Sequence, residues 1–199
     1  MIMQSLLDLS WISLETLAVV LAVGYLIFAI KENSWCWCFV FFSAAIYVWI
    51  FFDAKLYMVS LLNAYYLLVS VYGWQQWRKG GTQQKILPIS CFRPVHHVAV
   101  IGVVGLGSLG SGYFLALYTD AQLPYLDSFT TLGSIVATAM VARKILENWL
   151  YWIFIDAVSI YLYFSQDLYQ TAILFACYVM LAVLGYRTWR KRYLMQADS

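Results

Sequence analysis

The sequence predicts an all-α integral membrane protein of seven transmembrane helices, arranged as a parallel three-plus-one-plus-three repeat. Three observations predict it. The first is composition: 63% of the 199 residues are hydrophobic and 11% are charged, where a soluble domain has about 25% charged residues. A membrane crossing takes about 20 apolar residues, so this length holds seven or eight crossings and little else, and residues 1–199 read as a single membrane domain. The second is a succession of seven apolar runs. The third is a gapless internal match at a constant shift of 112 residues, from 37–79 onto 149–191.

The apolar runs fall at 11–30, 34–52, 56–77, 95–117, 127–142, 148–164 and 168–187. The first ten residues carry Asp8 and no basic residue, so they lack the charged start of a signal peptide and the N-terminus is expected to be retained. Short connections at Lys31 to Asn33, Asp53 to Lys55 and Ser165 to Asp167 make sequence neighbours antiparallel hairpins. Along this path Lys31, Arg78, Lys79, Lys85, Arg93, Arg143, Lys144, Arg187, Arg190, Lys191 and Arg192 collect on one side, and Lys55 alone lies on the other. By the positive-inside rule the N-terminus is outside and the C-terminus cytoplasmic.

In the internal match, Trp37 meets Trp149, Leu56-Tyr57 meets Leu168-Tyr169, Tyr66 meets Tyr178, Gly73 meets Gly185 and Trp77-Arg78-Lys79 meets Trp189-Arg190-Lys191. A shared Gly-x-x-x-Trp-Arg-Lys ending at one membrane depth points to duplication rather than to apolar composition. The copies lie an even number of helices apart and therefore run in the same sense. The halves are a first triple-helix bundle at 11–79 and a second at 127–192, joined by a linker helix at 95–117. The linker holds Gly102, Gly105, Gly107, Gly110 and Gly112, a composition suited to close helix packing in lipid. Its Gly-x-Gly-x-x-Gly at 105–110 is not in a strand-to-helix turn, so it is no dinucleotide fingerprint.

The chemistry concentrates in polar stripes on three segments. On the sixth, Trp149, Trp152, Asp156, Ser159 and Tyr163 share one helical face. A carboxylate at mid-bilayer costs about 2.5 to 3.5 kcal/mol on insertion scales, so Asp156 is expected to face a polar interior and to serve a purpose there. The third segment carries Asn63, Tyr66, Ser70 and Trp74, and the fifth carries Asp127, Thr131, Ser134 and Thr138. Together these stripes are expected to line one cavity for a flat cationic molecule, with Trp152, Asp156 and Asn63 as its main contacts and Trp149, Tyr66, Ser134 and Asn148 as weaker ones. An indole face attracts a cation by about 0.5 to 2 kcal/mol. The bland alternative is that the hydroxyls bond backbone carbonyls and that Asn63 bridges helices. Trp35, Trp37, Trp77 and Trp189 lie beside basic residues and read as an interfacial belt. Glu147 reads as a partner of the helix dipole and of Arg143-Lys144. His96 and His97 have no carboxylate or cysteine near them in sequence and read as interfacial. The four cysteines lack metal spacing. Neither a cofactor, a metal nor a nucleic-acid partner is expected. With no intramembrane His, no nucleophile beside the acid and no ATP-binding motif, the chain is not expected to be an enzyme or a primary pump.

Leu126-Asp-Ser-Phe-Thr-Thr, Ser134-Ile-Val-Ala, Ala142-Arg-Lys-Ile-Leu-Glu-Asn-Trp-Leu-Tyr-Trp, the spacing onward to Asp156 and Ser159, and Tyr72-Gly-Trp-Gln-Gln-Trp77 resemble the PnuC family of bacterial vitamin transporters. The resemblance covers nearly the whole chain, and its most specific part is Glu-Asn-Trp-x-x-Trp. It implies a SWEET-like fold, a homotrimer in the bacterial inner membrane, and facilitated diffusion of an unphosphorylated B-vitamin that a cytosolic kinase then traps. Nicotinamide riboside carriers of the family tend to have Gln where this chain has Asn63 and Asn where it has Asp156. That difference favours the thiamine-carrying branch, PnuT, with nicotinamide riboside as the alternative.

Overall fold

In a computed structural model, residues 2–53, 57–79 and 87–197 are described. They form α1 (Ile2–Ile30), α2 (Cys36–Asp53), α3 (Tyr57–Lys79), α4 (Pro94–Tyr118), α5 (Pro124–Ala142), α6 (Asn148–Phe164) and α7 (Tyr169–Ala197). The turn at 54–56 and the segment 80–86, with Lys55, Leu56 and Lys85, lie outside the described residues. Among the described helices three are long and apolar enough to cross a membrane by length and composition, at Pro94–Tyr118, Pro124–Ala142 and Thr171–Gln196, with shorter apolar helices at Thr16–Ile30 and Cys36–Ile50.

Each helix lies where its apolar run predicts, but α1 and α7 are longer. The run at 11–30 belongs to a helix that begins at Ile2, and the run at 168–187 to one that ends at Ala197. Hydropathy marks the part suited to hydrocarbon, whereas a helix continues until something breaks it, and neither 2–10 nor 188–197 contains Pro or Gly. Pro94 and Pro124 open α4 and α5, positions where the missing N–H of proline leaves no helical bond unmade.

The chain forms two compact units, Met1–Leu87 and Pro88–Ser199. In the first, α2 packs against both α1 and α3; in the second, α4 packs on α5, α5 on α6 and α6 on α7. The linker helix is thus part of the second unit. Its glycines only partly serve packing: Cβ atoms at Gly107 and Gly112 would meet Leu132 and Tyr125 of α5, but those at Gly102, Gly105 and Gly110 would meet nothing within 4 Å.

Inside each unit the same contact recurs. The rings of Trp37 and Trp77 meet edge to face with centroids 5.6 Å apart at 88°, and those of Trp149 and Trp189 do so at 5.4 Å and 87°. Each first-named indole lies against a glycine, Trp37 on Gly73 and Trp149 on Gly185. Burial recurs at the same shift: Ala29 and Val141, Cys36 and Asn148, Trp37 and Trp149, Ala44 and Asp156, and Ser70 and Ala182 are all buried. The turns that break the helices match too, with positive φ at Glu32 (55°) and Lys144 (51°).

These indoles require a correction. Trp37, Trp77 and Trp189 are 1%, 4% and 0% exposed and belong to the core, not to an interfacial belt. The missing side chains of Gly73 and Gly185 leave room for a ring between helices. Trp35 alone of that set is exposed, at 59%, and stands edge-on to Trp74, over which the Arg78 guanidinium lies at 5.0 Å.

Candidate functional site

The second unit holds the most distinctive group of the molecule. Asp156 is 3% exposed and its carboxylate forms no hydrogen bond or ion pair among the described residues. The expected structural alternative, an ion pair with Arg143 or Lys144, is therefore not made. A bare carboxylate so placed is costly unless something neutralises it. The neighbouring hydroxyls do not: Ser159 Oγ donates to the Ile155 carbonyl at 2.9 Å, and Thr138 Oγ1 donates to the Ser134 carbonyl at 2.7 Å. These bonds along their own helices are the bland role foreseen for Ser and Thr.

Two elements set the position of Asp156. Gly133 of α5 lets Ile155 of α6 approach so closely that a Cβ there would lie 3.0 Å from Ile155 Cδ1. Phe129 and Phe154 add an edge-to-face contact at 5.7 Å. Gly133, the residue before Ser134, thereby packs beside Ile155, the residue before Asp156. Ser134 is partly exposed, and its hydroxyl has no described partner. Trp152, one helical turn before Asp156, is also partly exposed and has no described ring partner. A groove of about 390 Å³ between α4, α5 and α6 lies alongside, lined by Val104, Phe129, Gly133, Phe154 and Ile155 among others. None of the candidate residues lines it.

At the start of α6, Asn148 is fully buried; its amide donates to the Ile145 carbonyl at 2.6 Å, and its Oδ1 has no partner. Trp149 is 1% exposed with its indole N–H unpartnered. The same holds for Trp37 in the first unit, so for Trp149 the geometry shows packing on Gly185 and Trp189. In the first unit, Asn63 is 8% exposed and engaged by a partner, and Tyr66 is partly exposed with its ring 5.8 Å from that of Tyr65. Ser70 on the same stripe donates to the Leu67 carbonyl at 2.6 Å.

A cluster that the sequence did not bring together lies at the entry to α6. Glu147 makes no capping bond to its own helix. Its Oε2 instead accepts the Phe92 N–H at 3.2 Å, and its Oε1 lies 3.9 Å from His97 Nε2. His97 Nδ1 pairs with the Tyr151 hydroxyl at 2.9 Å and the two rings stack at 11°. The acid that His97 lacks in its sequence neighbourhood comes from Glu147, which the fold brings up from 50 residues away. The one available signal was a Glu opening an apolar helix without an Asn, Ser or Thr before it to cap the helix.

A family model described as "Nicotinamide mononucleotide transporter" matches residues 12–191. The nicotinamide riboside transporter PnuC of Escherichia coli (strain K12) is 26% identical, with 92% of this chain and 86% of that one covered. The PnuC of Neisseria mucosa is also 26% identical, over 92% of this chain and 73% of that protein. The riboflavin/roseoflavin transporter RibM of Streptomyces davaonensis is 24% identical, covering 86% of this chain and 79% of its own. A crystal structure of the vitamin B3 transporter PnuC superposes with a TM-score of 0.70 at 24% identity, over 92% of this chain and 82% of that one, and so shares the fold. With seven helices and a match over nearly its full length, the chain belongs to the nicotinamide mononucleotide transporter family, the PnuC family of multi-pass membrane transporters.

Proposed function

We propose that the chain carries nicotinamide riboside across the membrane by facilitated diffusion, with Asp156 and Trp152 as its principal substrate contacts. The observation that carries this is the buried, unpartnered Asp156 carboxylate at the position where the first unit has a buried Ala44. Packing at that site asks only for a small side chain, so the acid serves something else. A flat pyridinium cation neutralises a carboxylate and lies well against an indole face. Riboflavin is uncharged and gives Asp156 nothing to neutralise. The expected preference for thiamine gives way here, because the relatives named for a substrate carry nicotinamide riboside or riboflavin.

Asn63 and Tyr66 on α3 are assigned as further substrate contacts, and Ser134 and the free Oδ1 of Asn148 as weaker ones. Trp149 we assign to packing first. The matching indole and glycine contacts, burial and turns at a shift of 112 support a parallel three-plus-one-plus-three repeat of SWEET-like kind. The resemblance further supports a homotrimer in the bacterial inner membrane and trapping of the entered vitamin by a cytosolic kinase.

Binding titrations of the purified protein against nicotinamide riboside, thiamine, riboflavin and glucose test this. Nicotinamide riboside is expected to bind most tightly. Asp156→Asn removes the charge and is expected to weaken it by about 1.5 to 3 kcal/mol, or roughly 10- to 150-fold. Tighter binding of thiamine by the parent protein would overturn the substrate. Unchanged affinity in both Asp156→Asn and Trp152→Ala would place the site elsewhere.

A further inference from the structure

The connector before α4 is sewn to the joint between α5 and α6. Ser90 donates its N–H to the Lys144 carbonyl at 3.0 Å and accepts the Leu146 N–H at 2.8 Å, a short parallel bridge. Ile89 beside it is 3% exposed. Two residues on, Glu147 accepts the Phe92 N–H, and Phe92 in turn lays its ring against His96 at 5.2 Å and His97 at 5.7 Å. The backbone carbonyl of Glu147 accepts the N–H groups of Leu150 and Tyr151, the first turn of α6. One residue therefore both begins the helix that bears Trp152 and Asp156 and fastens that helix to the connector.

We propose that Glu147 is a positioning residue for α6 and that His97 makes its hold proton-sensitive. When Nδ1 of a neutral His97 accepts from the Tyr151 hydroxyl, the single ring proton resides on Nε2. That nitrogen is 3.9 Å from Glu147 Oε1, too far for a hydrogen bond but within reach of an ion pair. A proton taken from water makes both ring nitrogens donors and gives the ring a positive charge facing the carboxylate. Lower pH thus adds attraction between α4 and α6 and tightens the hold, and higher pH removes it.

The other groups around the pair leave this direction intact. From α6 they are Glu147 and Tyr151, and from α4 His96, whose ring also lies against Phe92, at 5.2 Å. From the connector comes Cys91, which touches Glu147 and the Tyr193 hydroxyl of α7. Desolvation of its protein-facing side raises the Cys91 thiol above its ordinary range, with the Glu147 carboxylate acting the same way and the Tyr193 hydroxyl opposing. The neutral thiol is thus the favoured form of Cys91 beside the pair. The hold rests on geometry alone; its link to uptake rests on the transport function proposed above.

Hydrogen exchange of the purified protein without substrate, at pH 5.5 to 8 and corrected for the intrinsic rate, reads the hold at the Phe92, Leu150 and Tyr151 amides. In the parent their protection is expected to rise about two- to five-fold as pH falls, the size of a partly exposed ion pair. His97→Gln keeps a partner for Tyr151 without the charge, and Glu147→Gln keeps an acceptor for Phe92; both are expected to flatten the profile. A parent without pH dependence, or variants with the parent's profile, would overturn the proposal. Protection that changes at Phe92 but not at Leu150 and Tyr151 would overturn the positioning role. Uptake of nicotinamide riboside into proteoliposomes at equal pH on both sides is expected to follow the parent's exchange profile and to be flat in His97→Gln. No uptake at any pH would reject the substrate assignment while leaving the exchange result to stand.

Discussion

At the shift of 112 residues Asp156 falls on Ala44, and both are buried, 3% and 2% exposed, one residue beyond the buried pair Ile155 and Ser43. The comparison separates what the fold needs from what the chemistry needs. If Asp156 is there for a ligand, Asp156→Ala copies the first unit's own solution and relieves an unpaired buried carboxylate. The variant is expected to unfold at a temperature equal to or above that of the parent in detergent, while losing binding. A clear loss of stability would show that the carboxylate holds the helices together through a partner and is not reserved for substrate. Asp156 was legible in the sequence because an acid within an apolar run is costly wherever the helix turns it. Trp37, Trp77 and Trp189 were misplaced for the opposite reason: an indole suits both an interface and a core, and only a facing glycine decides between them. The pairing of Trp37 with Gly73 and Trp149 with Gly185 was present in the internal match, and their recurrence was the signal of a core contact.

Glycine takes its meaning from the helix it faces. At Gly185 a Cβ would lie 2.6 Å from the Trp149 ring, and at Gly73 it would collide with the Trp37 ring. Both indoles are 1% exposed and have nowhere to move. Gly73→Ala and Gly185→Ala are each expected to cost about 1 to 3 kcal/mol through overpacking. Gly102→Ala and Gly105→Ala meet nothing within 4 Å and should be neutral, or gain up to about 1 kcal/mol from the better helix former. Thermal unfolding of the four variants checks this, and equal losses at all four would show that α4 is as tightly packed as α3 and α7. Such differences explain what element-level reading recovers. Helix existence follows from apolar run length and came through at every element, whereas ends do not, since α1 and α7 continue past hydrocarbon until a breaker stops them. The close contact of Ser90 with Lys144 and Leu146 had no sequence signal, because backbone bonds between distant segments use no particular side chain.

Across the whole chain, charge carries the information that packing lacks. On the seven-helix path that the sequence predicts, the connections at 31–33, 78–93 and 143–147 and the end of α7 bring basic residues to one side, with Lys55 the single exception on the other. Transferring such residues across a bilayer is costly, and retention of Lys and Arg on the cytoplasmic side fixes orientation during insertion. On that path an odd number of crossings is expected to separate the termini. A reporter fused after Tyr193 is expected to be cytoplasmic and one fused after Thr119, at the end of α4, external. Adding or removing a crossing between them would bring both reporters to one compartment and scatter the basic residues over both faces, so that single result would refute the path. This path expects the long connection at 78–93, with Glu147 and His97, on the cytoplasmic side. The proton-sensitive hold would accordingly sense the pH of the compartment into which substrate is released, and Asp156, more than two helical turns along α6 from Glu147, would feel it only through the position of the helix.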